Sequence, residues 1–231
     1  MSGKTTIEVL HRLGRPVFTT REIALLRKAS LSSASQTLSR LAKKAVVQRV
    51  VPGVWRLPHE AAFSPFAVVP YLTLGNRAYI SFLSALHLHG IIEQIPQVIY
   101  AATTGHSRTI RTPVGTYSFH TIHPRFFSGF DWYGPRRDFL IAQPEKALVD
   151  SLYVSSRKGR QFGSFPELCF PKSFSFRRAF GWVKRIPDKR IRGHVRRKLE
   201  ILQAAAKSGG ERAERRTEPT SRVNRAPAHL L

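Results

Sequence analysis

Placed about 100° apart along a helix, Ser32, Gln36, Ser39, Arg40 and Lys43 fall on one side, Ser33 and Lys44 flank them, and none is acidic. Glutamine and arginine carry the donors and acceptors that read base edges, small hydroxyls permit close approach, and lysine holds phosphate. The competing reading is a solvated helix face. Arg49 and Arg56, on the apolar runs that follow, would add phosphate contacts.

Other chemistries find less support. Glu145, Lys146 and Asp150 could form a reactive acid pair, but the spacing favours a carboxylate at a helix start plus a Lys146–Asp150 surface pair one turn apart. A metal-dependent nuclease needs spaced acids and a lysine around a divalent ion. The middle of the chain offers only Glu93, Asp131, Asp138, Glu145 and Asp150, with no Asp…Glu-x-Lys arrangement. His87 and His89 lie on different helical faces, and His120-x-x-His123 lacks nearby Cys or acidic partners. Phosphate-binding glycine loops and nucleophile elbows do not occur, so no enzyme activity, metal or cofactor is expected.

The elements that must position the first cluster are legible. Ile7, Leu10 and Leu13 predict a first helix over 5–13, stopped by Gly14 and Pro16. Thr19 and Glu22 stand in capping-box relation, and Phe18 can staple onto Ile23. The helix they open runs through Ile23, Leu25 and Leu26 and ends near 27–30. The third helix takes Ser32 as its N-cap and packs Ala34, Leu38, Leu41 and Ala45 inward. Two β-rich runs, 46–51 and 54–57, follow around a Pro52-Gly53 turn. Helix, helix, helix, hairpin is the pattern of a winged helix-turn-helix, a module that binds duplex DNA. Trp55, flanked by Val54 and Leu57, is read as core packing.

Beyond a connector over 59–78, residues 79–88 read as a helix closed by His89-Gly90. Strands are expected over 97–102, 109–112, 116–121 and 139–142, then a helix with Pro144 in its first turn. The fold class is therefore α+β: a winged helix-turn-helix over 1–58, a mixed α/β domain over 79–206, and a disordered basic tail over 207–231.

Charge is uneven along the chain. The formal net charge is +24; residues 1–60 hold 11 basic against 3 acidic side chains, 61–155 hold 7 against 5, and 156–231 hold 20 against 6. Such an excess draws a chain to polyanions. Cys169 is the sole cysteine, which excludes an internal disulfide and fits a reducing cytoplasm. The first residues lack the apolar stretch of a signal peptide, and no membrane partner is expected.

Gly53-Val54-Trp55-Arg56-Leu57, then Tyr79-Ile80-Ser81 with Ala85-Leu86 and His89-Gly90, then Pro144-Glu145-Lys146-Ala147-Leu148-Val149-Asp150 resemble, in that order, the AbiEi family of type IV antitoxins. The match covers most of 5–153. The resemblance implies a transcriptional autorepressor acting on an inverted repeat in its own promoter. It also implies a second domain that neutralises a nucleotidyltransferase-like toxin without forming a stable complex. The very basic end departs from that pattern.

That end interleaves Phe162, Phe165, Phe170, Phe174, Phe176, Phe180 and Trp182 with arginine and lysine clusters. It could grip single-stranded nucleic acid. The pattern over 191–202, with Val195, Leu199 and Leu202 apolar, favours rings as core and charges as surface. An RNA-binding or general nucleic-acid-binding protein using this region is the alternative to the repressor.

Overall fold

Capping chemistry sets the first elements. Helix α1 (Thr6–Leu13) turns Val9 and Leu10 inward and ends at Gly14; Thr5 and the Ile7 side chain lie outside the described ones. After strand β1 (Val17–Thr19), helix α2 (Thr20–Leu26) opens on the expected capping box. The Glu22 amide donates to Thr19 Oγ1 at 3.2 Å while Glu22 Oε2 accepts from the Thr19 amide at 2.7 Å. Phe18 and Ile23 flank this box, both fully buried, as a hydrophobic staple requires.

Helix α3 spans Leu31–Lys43, and its N-cap is Ser30 rather than Ser32: Ser30 Oγ accepts from the Ser33 amide at 3.1 Å. Ala34 and Leu38 are buried, but Ala45 leaves the apolar stripe. It lies past the helix end at φ 55°, where the Ala45 and Val46 amides close on the Ala42 and Leu41 carbonyls. Leu25 and Leu26 are exposed because the buried stripe of α2 is Thr20, Ile23 and Ala24.

Strands β2 (Gln48–Val51) and β3 (Val54–Arg56) form the expected hairpin, and Gly53, at φ 80°, supplies the backbone that a Pro-Gly turn needs. Strand β1, not foreseen, pairs with β3 to give the order β1-β3-β2. The two faces of this sheet have different fates. Phe18, Val47 and Trp55 join the helices in one core, whereas Val17, Val50 and Val54 belong to the larger core of the second body.

The structure, a computed structural model, describes residues 6–58, 63–73, 75–134, 137–157, 162 and 165–217. Its architecture is mixed α+β. The expected connector is more than a link: a 3₁₀ helix, Pro65–Leu72, buries Ala67, Val68, Val69 and Leu72, while residues 59–62 and 74 lie outside the described ones. The helix expected over 79–88 is instead strand β4 (Ala78–Ile80) followed by helix α4 (Phe82–Leu88). Tertiary pairing overrides helix-like periodicity there, because β4 is an inner strand.

Strands β5 (Val98–Thr103), β6 (Arg108–Thr112), β7 (Gly115–Thr121), β8 (Phe130–Trp132) and β9 (Leu140–Ala142) complete a mixed sheet. Its order is β6-β7-β5-β4-β9-β8. Strands β5 and β7 run parallel, as do β4 and β9; the other neighbours are antiparallel. Helix α5 (Pro144–Ser155) packs against α4, α6 (Phe176–Lys184) and α7 (Lys189–Thr217). The aromatics of the basic end pack against the main core.

Two expectations are corrected in this body. Lys146 and Asp150 are not a surface pair: both side chains are wholly buried and ion-paired across one turn of α5. Lys146 Nζ also donates to Tyr79 Oη at 2.9 Å, and Asp150 Oδ2 accepts from Tyr79 Oη at 2.9 Å and from Ser81 Oγ at 2.8 Å. Glu145 is buried too. Its Oε1 accepts from the Ser175 amide and from Arg178, which fastens the start of α6. The short run of charges hid a buried network because α5 is covered on several sides.

The second correction concerns the tail. The backbone of α7 is helical to Thr217, so the helix overruns the domain boundary expected at 206. The Gln203–Lys207 run of strong helix formers carries it onward. Residues 218–231, the rest of that expectation, lie outside the described ones.

Candidate nucleic-acid interface

One bond ties α3 to the end of α2, and two more tie the hairpin to the start of α2. Arg27 Nη1 donates to Thr37 Oγ1 at 3.4 Å, joining the end of α2 to α3. Trp55 Nε1 donates to Thr20 Oγ1 at 2.8 Å, and the Thr20 amide donates to Gly53 O at 2.9 Å, which tie the hairpin to the start of α2. Trp55 is 3% exposed and packs with Ala34 and Leu38, the core role expected of it.

With Ala34 and Leu38 turned inward, the opposite side of α3 is left to solvent. Ser32, Ser33, Gln36, Ser39, Arg40, Lys43 and Lys44 are all exposed. Gln36 and Arg40 stand one helical turn apart on that side. Among the described residues, no carboxylate pairs with Arg40, Lys43, Lys44 or Arg49. Glu22 is engaged elsewhere, by the Thr19 amide and by Arg15. The cationic field of α3 is therefore not neutralised locally.

The two hairpin arginines part company. Arg49 is exposed, pairs across the sheet with Trp55, and holds its guanidinium 5.9 Å from the centre of that ring, on the helix side. Arg56 does not join it. Its Nε donates to Gln48 Oε1 at 2.6 Å, its guanidinium lies 4.5 Å over Phe63, and its strand partner is Val17 on the other face. There it opposes the upward shift that burial imposes on the Tyr117 phenol. Arg56 thus serves the junction with the second body.

Sequence reasoning missed a feature beside α3: Leu25, Leu26 and Leu31 are exposed around the α2–α3 turn, with Arg27 and Lys28 between them. Stripe counting on the short α2 would have flagged Leu25, about 200° of turn past Ile23; Leu26, three residues after Ile23, gives no such signal. The chain matches no protein-family model and none of the characterised proteins compared with it.

Proposed function

We propose that residues 6–57 are a winged helix-turn-helix and that the chain is a sequence-specific DNA-binding autorepressor. In this reading α3 is the recognition helix and the β2–β3 hairpin is the wing. The observation that carries it is the exposed side of α3, where Gln36 and Arg40 stand among hydroxyls and lysines that, among the described residues, pair with no carboxylate. Gln36 and Arg40 read base edges, Ser32, Ser33 and Ser39 allow the helix to sit close, and Lys43, Lys44 and Arg49 hold phosphates.

The resemblance to AbiEi antitoxins extends the reading. The second body then neutralises a nucleotidyltransferase-like toxin without a stable complex, and the repressor acts on an inverted repeat upstream of its own gene. The two roles separate experimentally. Binding of the full chain to its own upstream DNA, titrated with salt, tests the first. Gln36→Ala and Arg40→Ala should each cost about 1–3 kcal/mol and relax specificity. Equal affinity for random duplex overturns the repressor reading, and undiminished binding by both variants moves the interface to the basic end and RNA. Co-expression with the toxin tests the second role: the α3 variants should lose repression yet still protect.

A further inference from the structure

The second body contains a cleft that the DNA-binding reading leaves unused. It has a volume of about 820 Å³ and lies between the β6–β7 edge of the sheet and helices α5 and α7. Arg108, Ser118, His120 and Thr121 line it from the sheet, Val154 and Ile191 from the helices, and Arg157 from just past the end of α5. A second cleft of about 560 Å³ adjoins it at Ile191 and adds Arg190, His194 and Arg197.

The charges in this groove are held without being cancelled. Arg157 Nη1 donates to Thr121 O at 2.9 Å, so its guanidinium is oriented by a carbonyl rather than a carboxylate; Arg108, opposite Phe119 in the ladder, turns to the other face of the sheet and donates to Leu72 O. Among the described residues, no acid lines the larger cleft. Asp188, in the smaller one, is engaged by the Arg190 and Ile191 amides at the start of α7.

The floor is different in kind. Ser118 Oγ and His120 Nε2 lie 3.1 Å apart, and both residues are buried. Burial holds the His120 imidazole down to about 4, so it is neutral at physiological pH. Guanidinium groups at the flanks and neutral hydroxyl and imidazole groups below are what a phosphate with a hydroxylated body requires. The larger cleft has the size of a small-molecule site.

We propose that this groove binds a small phosphorylated metabolite, a sugar phosphate or nucleotide, with its phosphate on Arg157 and Arg197 and its hydroxylated body against Ser118 and His120. The site stands apart from DNA reading, and its test does not depend on it.

Titration calorimetry of the full chain with inorganic pyrophosphate, ribose 5-phosphate and each nucleoside triphosphate, beside unphosphorylated ribose and nucleosides, reads the binding directly. At least one phosphorylated probe should bind with a Kd of about 1 mM or tighter, and its unphosphorylated counterpart should not. Pyrophosphate binding alone overturns the proposed role of the floor. Arg157→Ala with Arg197→Ala should weaken binding about tenfold or more, whereas Arg157→Lys with Arg197→Lys should retain part of it. Arg177→Ala with Lys184→Ala, exposed outside the groove, should change it less than about twofold. The site is overturned if no probe binds, if the control pair loses as much as the groove pair, or if only oligonucleotides bind.

Discussion

Tyr79 bridges a buried ion pair: its hydroxyl accepts from Lys146 Nζ and donates to Asp150 Oδ2, each at 2.9 Å, so strand β4 is bonded to both charges of one turn of α5. The Lys146 ammonium also rests 3.8 Å over the Phe126 ring. Burial pushes the Lys146 amine down and the Asp150 carboxyl up, and the attraction between them opposes both shifts.

Removing one member strands the other. Asp150→Ala or Lys146→Ala should each lower unfolding free energy by about 3–5 kcal/mol, and Lys146→Met with Asp150→Leu by less than either. Urea unfolding of the set checks this. A double variant as unstable as the singles combined would mean that the two charges are not coupled, and would overturn this account of the pair.

His120 makes stability depend on acid. Its folded value is about 4 against an ordinary 6.5, so between these the unfolded chain binds more protons. Stability should hold above pH 6.5, fall as pH drops toward 4, and lose up to about 3 kcal/mol from this group. His120→Gln should flatten that window. Urea midpoints across pH 4–7 for both proteins give the difference.

Two backbone positions should respond oppositely. Ala45 sits at φ 55° in the cap of α3, so Ala45→Gly should stabilise by about 0.5–1 kcal/mol. Gly129, at φ 78°, is its opposite. A Cβ there would lie 2.5 Å from the Trp182 ring, and Gly129→Ala should cost on the order of 3 kcal/mol. Thermal unfolding resolves both signs.

On the proposed operator, Lys43→Ala and Lys44→Ala should each reduce the salt slope of binding by about 1 while leaving sequence preference intact. Arg56→Ala should leave that slope unchanged, because its guanidinium is engaged with Gln48 and Phe63. A gel-shift salt series distinguishes the two behaviours.

What was legible in the sequence was what short-range chemistry decides. Thr19–Glu22, Phe18–Ile23, the Pro52-Gly53 turn and Pro144 at a helix start all act within a few residues, and the structure places each as read. What escaped depends on distant partners. Tyr79 and Ile80 became strand because β5 and β9 flank them, and Lys146 is buried because β4 and other distant segments cover it. Along α3, exposure followed the helical period, but the start moved to Ser30 since adjacent serines offer similar caps. Arg56 looked like a phosphate contact until the opposite face of its sheet proved to have an occupant.

That shared sheet has a mechanical meaning. Val17, Val50 and Val54 close the larger core from the back of the wall that carries α3 on its front, and Tyr71 Oη fixes the same wall by donating to Val17 O at 3.2 Å. The first three strands thus belong to both bodies at once. If α3 reads DNA as proposed, a pair of these molecules on a two-fold site would act as calipers with stiff jaws: a contact between copies would set the tolerated spacing, and prying the jaws apart would mean wetting three valines.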